Sequence, residues 1–471
     1  MPRKLIAIAA AVTTAVAGTV AAQAMNAGGS HAPRQALALV PFTRLATVNG
    51  TTAQAVASTR AADGSLHLVF QTLGGGGFNG LGAISISPGG QASQQVTALS
   101  GWQAGQPGLV RLPDGTLEAV FGAISPSNVS SVWGISSSTG GSTWSAPANV
   151  RGGGPLEALA YGSNVTAAVS SGTPVLTLPQ AGQVVIQRGL GAGSPSYQLT
   201  NSADGSTTNA EVATDAATGE VVAGWNSIAG NPKVFLQGAS PSTGSLQGVP
   251  GQSRNAQELA GRDAGPGVFG AYTPDGKHVR LLRYGGGSVA VGSLKTTQAR
   301  VLGVATSVDG RIWVMWGDDL GGGVAVTRSN KAVTRFEPIQ HLKPNSGVLY
   351  RLSGDGRLGP LDLLVDQIPN QKGSIPPPGL YHGHTLAALS ALVSVKPIKN
   401  KKLAVIGHTL TVTVNDAGDP VAGAKVTANG STHKTNAKGV AQFTFGSKVK
   451  GKLNVTITSP TYWPLSKKVT V

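Results

Sequence analysis

Apolar and polar residues alternate along most of this chain in short runs, and the runs are punctuated by Asp-Gly pairs. The clearest example is Thr306-Ser307-Val308-Asp309-Gly310-Arg311-Ile312-Trp313-Val314-Met315-Trp316. It predicts a short strand, a tight turn and a second strand, because Asp-Gly between two apolar runs is a strong hairpin signal. The pattern recurs at Asp63-Gly64, Asp114-Gly115, Asp275-Gly276 and Asp355-Gly356, each followed by an apolar run. Looser copies turn at Thr218-Gly219 and Ser171-Gly172. The glycines stand at 64, 115, 172, 219, 276, 310 and 356, separated by 51, 57, 47, 57, 34 and 46 residues. Copies of several short strands repeating every 40–50 residues or so are the signature of a β-propeller. No copy buries both its faces alone, and a radial arrangement lets copies pack face to face. The reading is all-β, with seven blades, or six if the Ser171 copy or the last copy is coincidental.

A second pattern begins near the end. Residues 396–402 shift abruptly to lysine, and predicted short strands then follow, with turns at Asn429-Gly430 and Lys438-Gly439. About seven strands in such a length make a small β-sandwich. The expected organisation is a signal peptide over 1–24, a disordered leader over 25–36, a propeller over 37–395, a Lys-rich linker over 396–402 and a sandwich over 403–471. The signal rests on Arg3 and Lys4, the apolar run Leu5 to Val20, and the small-x-small site Ala22-Gln23-Ala24. No later stretch is long and apolar enough to span a bilayer, so the expected location is secreted, either extracellular or associated with the cell surface.

Composition sharpens this picture. The chain has 471 residues, 67 of them Gly and 28 Pro, with only 12% charged, which suits an all-β protein. It has no cysteine. That excludes disulfides, thiolate metal sites, a cysteine nucleophile and an N-terminal lipid anchor, and in an exported chain it fits a bacterial source. The net charge is +16. From Lys396 onward there are twelve Lys, no Arg and two acids, Asp416 and Asp419. Without interleaved aromatics or arginine, that charge does not fit a nucleic-acid partner. Extracellular glycans or anionic cell-wall polymers are the partners expected.

Ser137-Ser138-Thr139-Gly140-Gly141-Ser142-Thr143-Trp144 resembles the Asp-box of sialidase-like (BNR-repeat) propellers, Ser-x-Asp-x-Gly-x-Thr-Trp, with Thr139 in the acid's place. The resemblance implies a turn between the two outer strands of a blade, away from the active face. The sialidases of that class also carry an arginine triad, an Arg-Ile-Pro start, a catalytic Asp and a Tyr-Glu pair. This chain has no Arg-Ile-Pro, and its arginines are scattered. Asp416-Ala417-Gly418-Asp419-Pro420-Val421-Ala422-Gly423-Ala424-Lys425-Val426, with Thr435 to Gly439, resembles bacterial Ig-like and carboxypeptidase-regulatory-like domains, which implies a spacer or adhesion module.

If the Asp-Gly turns join the two inner strands of each blade, residues just past each second strand return to the opposite face, where propeller ligands bind. That reasoning selects Gln71, Asn226, Tyr284, the adjacent acids Asp318 and Asp319, and Asp366. Trp102 stands in a loop expected at the same face and suits stacking on a sugar. Asp318, Asp319 and Asp366 are the candidates for acid/base work, since a glycosidase needs two carboxylates at a set separation. No cofactor is expected: Asp318 and Asp319 read first as a solvated loop, with a Ca2+ ion held by their oxygens as the alternative. Tyr381-His382-Gly383-His384 lacks a nearby third metal ligand. The expectation is a binding or surface protein rather than an enzyme, with an exo-acting glycoside hydrolase of the sialidase-like class as the alternative.

Overall fold

The computed structural model describes residues 42–47, 56–74, 77–151, 165–180, 183–191, 193–199, 207–227, 233–239, 246–250, 259–294, 301–317, 323–343, 348–368 and 379–471. The expected signal and leader lie outside them, as do Asp318, Asp319 and the proline run 376–378.

The described residues form no α-helix and fold into many four-stranded antiparallel sheets. Among the described residues, seven sheets, the second of them five-stranded and the others four-stranded, follow one another along the chain up to Thr385. In five of them the first strand in sequence lies innermost and its successors pair outward in order; in the second sheet the inner edge is split into Gln103–Ala104 and Gly108–Arg111, and the seventh takes its outermost strand from earlier in the chain. The innermost strands are Val56–Arg60, Gly108–Arg111, Thr166–Ser170, Thr207–Thr214, Leu259–Gly261, Leu302–Thr306 and Val348–Asp355. Each of these strands touches the innermost strand of the sheet before it and the sheet after it, and the last touches the first. The seven sheets therefore close into a ring. Chain order closes it too: Thr43–Thr47 is the outermost strand of the seventh sheet, paired with Gly379–Thr385. Apolar clusters fill the gaps between neighbouring sheets. Trp313, Met315, Leu361, Leu363 and Val365 join the sixth sheet to the seventh, and Leu66, Leu68, Phe70 and Leu364 join the seventh to the first.

The turns between innermost and second strands all lie at one end of the ring, here called the turn end. Ser171-Gly172 and Asp309-Gly310 have positive φ at both residues, as a tight hairpin turn requires. At Asp63-Gly64 and Asp114-Gly115 only the glycine is left-handed. Those aspartates act instead through Oδ1, which accepts the N–H of Ser65 and of Thr116 at 2.9 Å each. One predicted turn is misplaced. Asp275-Gly276 joins the second strand, Val268–Tyr272, to the third, His278–Arg283. The true inner turn of the fifth sheet is 262–267, where Gly265 has φ +79°. With Gly265 in place of Gly276, separations of 57 and 34 become 46 and 45 residues, and the repeat tightens.

The expected linker at 396–402 is not a linker. Ser390–Lys399 is a strand paired along its length with Val405–Asp416, and the lysines sit at the end of that hairpin. Lysine at outward positions of a strand reads in sequence as a composition break, although the backbone runs on through it. From Ser390 the chain forms two four-stranded sheets around one core of Leu410, Val412, Val426, Phe443, Val455 and Ile457.

Candidate functional site

The two ends of the ring differ in chemistry. At the turn end, several of the turns are stapled to one another. Arg262 Nε donates to Gly310 O at 2.7 Å, and Gly310 N donates to Asp263 Oδ1 at 2.6 Å. Gly267 N donates to Asp215 Oδ2 at 2.6 Å. At the closing seam, Arg60 binds Asp355 at 2.7 Å and Asp362 at 2.5 Å. His382 and His384 lie 2.9 and 3.1 Å from Asp362 Oδ1, so both imidazoles serve this seam. Arg60 and both histidines hold the Asp362 carboxyl well below the usual carboxylate range, although burial opposes them. Among the described residues, no group of three or more His, Asp or Glu is placed to hold a metal ion.

The Asp-box-like segment 137–144 forms the turn between the third strand of the second sheet, Ser130–Ser137, and the fourth, Ala148–Asn149. Ser137 Oγ accepts Gly141 N at 2.9 Å, and Thr139 Oγ1 accepts Thr143 N at 3.0 Å. The Thr139 hydroxyl thus takes the place of the missing carboxylate. Two further turns use the same device. Asn330 Oδ1 accepts Thr334 N at 2.8 Å, and Ser87 Oγ accepts Gln91 N at 3.2 Å. A search keyed to aspartate and tryptophan passes over both, because neither residue type is present there.

At the opposite, far end, Gln71, Asn226 and Asp366 stand at the ends of second strands, each 4% exposed or less. Gln71 Nε2 donates to Ala104 O at 2.7 Å, tying the first sheet to the second. Trp102 is half-buried, edge-on to Trp133 with centroids 4.9 Å apart, so packing accounts for much of its ring. Tyr284 does not belong to this group. It lies in the turn between third and fourth strands of the fifth sheet, at the turn end, because Asp275-Gly276 sits one strand later than the sequence suggested.

The structure adds residues that sequence reasoning did not select. Glu211, on the innermost strand of the fourth sheet, accepts Arg351 Nη2 at 2.9 Å. Arg351 stands on the innermost strand of the seventh sheet. Those strands are not neighbours in the ring, so the pair crosses the space that the inner strands enclose. The other Glu211 oxygen accepts Leu259 N at 3.2 Å. Burial pushes the Glu211 carboxyl up to about 7, against the pull of Arg351 and of that N–H. Both strands carry a register shift beside the site, between Thr208 and Glu211 and between Leu349 and Arg351. Such bulges re-aim side chains. Tyr350 lies within the second one, and its phenol is raised by burial and then by the charge of Asp366. A charged residue inside Ala210-Glu211-Val212-Ala213 was the available signal; its partner 140 residues away was not.

No protein-family model matches the chain, and no curated relative matches it. It is similar to solved structures at low identity. A protein of unknown function from Dyadobacter fermentans is 11% identical over 74% of this chain and 98% of that one, with a TM-score of 0.45. A Hadza microbial sialidase is 12% identical over 70% of this chain and 65% of its own, with a TM-score of 0.44. A polysaccharide lyase is 10% identical over 72% and 91%, with a TM-score of 0.43.

Proposed function

We propose that this is a secreted glycan-binding protein: a seven-bladed, sialidase-like propeller carrying a C-terminal Ig-like domain, exported by the signal at 1–24. The ligand site is the far-end mouth of the ring, with Gln71, Asn226, Tyr350 and Asp366 on its wall and Glu211–Arg351 as its floor. Polar groups converging on one concavity are what a sugar's hydroxyls require. The observation that carries the reading is the cross-ring ion pair. It blocks the channel with a buried polar floor, and both Glu211 oxygens already have partners. A carboxylate so engaged holds the floor together rather than attacking a substrate.

A second reading, an exo-acting glycosidase, draws on a different feature of the same group. A carboxyl raised to about 7 is half-protonated near neutrality, as a general acid should be, and Asp366 would be its partner carboxylate.

The test is binding of the full chain to a glycan array, with turnover measured on aryl glycosides and sialosides. Binding without turnover, weakened at least tenfold or so by Asp366→Asn, supports the proposal. Turnover that disappears in Asp366→Asn and in Glu211→Gln would replace it with the glycosidase reading, and absence of any glycan binding would refute both.

A further inference from the structure

The C-terminal sandwich is polarised from end to end. Its two acids lie at one end and are consumed there by the ring. Asp416 binds Arg328 at 2.7 Å and Arg311 at 3.4 Å, and Asp419 binds Arg311 at 2.6 Å. The strand that ends at Asp416 begins at Val405, so its other end lies about 35 Å away at 3.3 Å per residue. That distal end is the hairpin tip between Ser390–Lys399 and Val405–Asp416.

The tip is chemically unusual. Pairing with the third strand of that sheet, Val440–Gly446, stops at Gly407, so residues 398–406 project beyond the sheet as a two-stranded finger. Lys399, Lys401 and Lys402 are exposed on it. Leu403, Val405 and Ile406 are exposed beside them, at 75%, 44% and 51%. Antiparallel pairing also brings 447–452, with Lys448, Lys450 and Lys452, to the same end, since Gly446 is opposite Gly407. No acidic side chain occurs between Lys396 and Asn415 or between Pro420 and Val471.

Leu403 also has a left-handed backbone, φ +60°. Its N–H bonds Asn400 O at 2.9 Å, and Asn400 Oδ1 accepts Lys402 N and Ala404 N. Glycine is the usual occupant of such a position. The leucine side chain held there is 75% exposed and lies outside the sandwich core.

We propose that this finger docks the protein on an anionic lipid surface, with Leu403, Val405 and Ile406 entering the headgroup boundary and the lysines bound to lipid phosphates. Lysine alone would suit any polyanion. The exposed aliphatic side chains between the lysines decide the occupant, because a charged polysaccharide offers them no apolar phase and a bilayer does. This does not depend on the glycan reading of the ring.

The experiment uses the full-length chain and vesicles of equal parts phosphatidylglycerol and phosphatidylcholine, with pure phosphatidylcholine and soluble heparin as controls. The chain has no cysteine, so Leu403→Cys labelled with an environment-sensitive dye reports on this position alone. The dye should shift to the blue with anionic vesicles and not with heparin. Cosedimentation should fall about tenfold or more in K399Q/K401Q/K402Q, and also in L403N/I406S, with thermal unfolding of both variants unchanged. Equal dye shifts on heparin and on vesicles would assign the finger to anionic polysaccharide and overturn the proposal. So would wild-type cosedimentation of L403N/I406S.

Discussion

Arg328 is the centre of the joint between ring and sandwich, and its removal tests how that joint is held. It ends the third strand of the sixth sheet and is 1% exposed. Its Nη2 donates to Asp416 Oδ2 at 2.7 Å, its Nη1 to Gly359 O at 3.3 Å, and its Nε lies 3.8 Å from Glu337 Oε1. The guanidinium sits 5.4 Å from the Trp313 ring and 5.3 Å from the Tyr462 ring. Arg328→Met fills much of the volume and deletes the cation. Burial already holds the Glu337 carboxyl well above the ordinary range, so the loss of the cation falls chiefly on Asp416. Asp416 keeps the Tyr462 hydroxyl at 2.8 Å and Arg311 at 3.4 Å, yet it is 0% exposed and loses its best partner. Breaking a buried pair from one side costs about 3–5 kcal/mol. Adding Asp416→Asn removes the stranded charge, so the double variant should be no less stable than the single, with a coupling of about 2 kcal/mol. Urea unfolding followed by tryptophan fluorescence measures both. A loss in Arg328→Met below about 1 kcal/mol, or strictly additive single effects, would refute a charge-coupled joint.

Two further predictions concern the ring. Burial and the nearby charge of Asp114 raise Glu118 to about 7, as burial does for Glu211. Carboxyls raised by folding bind protons that the unfolded chain has released, so their contribution to stability should fall as pH rises from about 4.5 to 7, and less steeply in Glu118→Gln; a melting-temperature profile across that window that Glu118→Gln leaves unchanged in slope would refute this. Asp362 acts in the opposite sense only as pH falls below its unfolded value of 3.8, whereas His67, lowered by burial, opposes the carboxyls inside the window, so the comparison with Glu118→Gln is the readout. At the Asp-box-like turn, Thr139→Ala should cost about 1 kcal/mol and Thr139→Asp should recover it, read by thermal unfolding; an aspartate variant less stable than the alanine one would show that the turn does not use its acceptor this way.

The ring was legible because the turns that organise it are local. Six of the seven selected turn positions join an innermost strand to its successor. The seventh, Asp275-Gly276, misled because the same dipeptide serves a turn between the second and third strands, while the true inner turn, 262–267, has no Asp-Gly. The site was less legible for a matching reason. Gln71, Asn226 and Asp366 follow from strand length, whereas Glu211 and Arg351 meet only because the ring closes, across 140 residues. The same limit applied at Lys396–Lys402. Its composition marked a change of surface, and only the pairing with 405–409 shows that the change falls on a hairpin.

Charge placement, more than net charge, separates the two proposed surfaces. The segment from Lys396 has twelve lysines and two acids. Had Asp416 and Asp419 been free of arginine partners, they would have offset neighbouring lysines by simple proximity. Instead both are bound by Arg311 and Arg328 at the turn end of the ring, and their negative charge is matched there by two arginines. The lysines are left without acidic neighbours on the sandwich, and their field is strongest at the end farthest from the joint. The far-end mouth is spared as well, because the sandwich contacts the turn end of the sixth sheet through Arg311 and Lys331. One buried ion cluster therefore fixes the sandwich, frees its lysines and leaves the proposed ligand face of the ring uncovered.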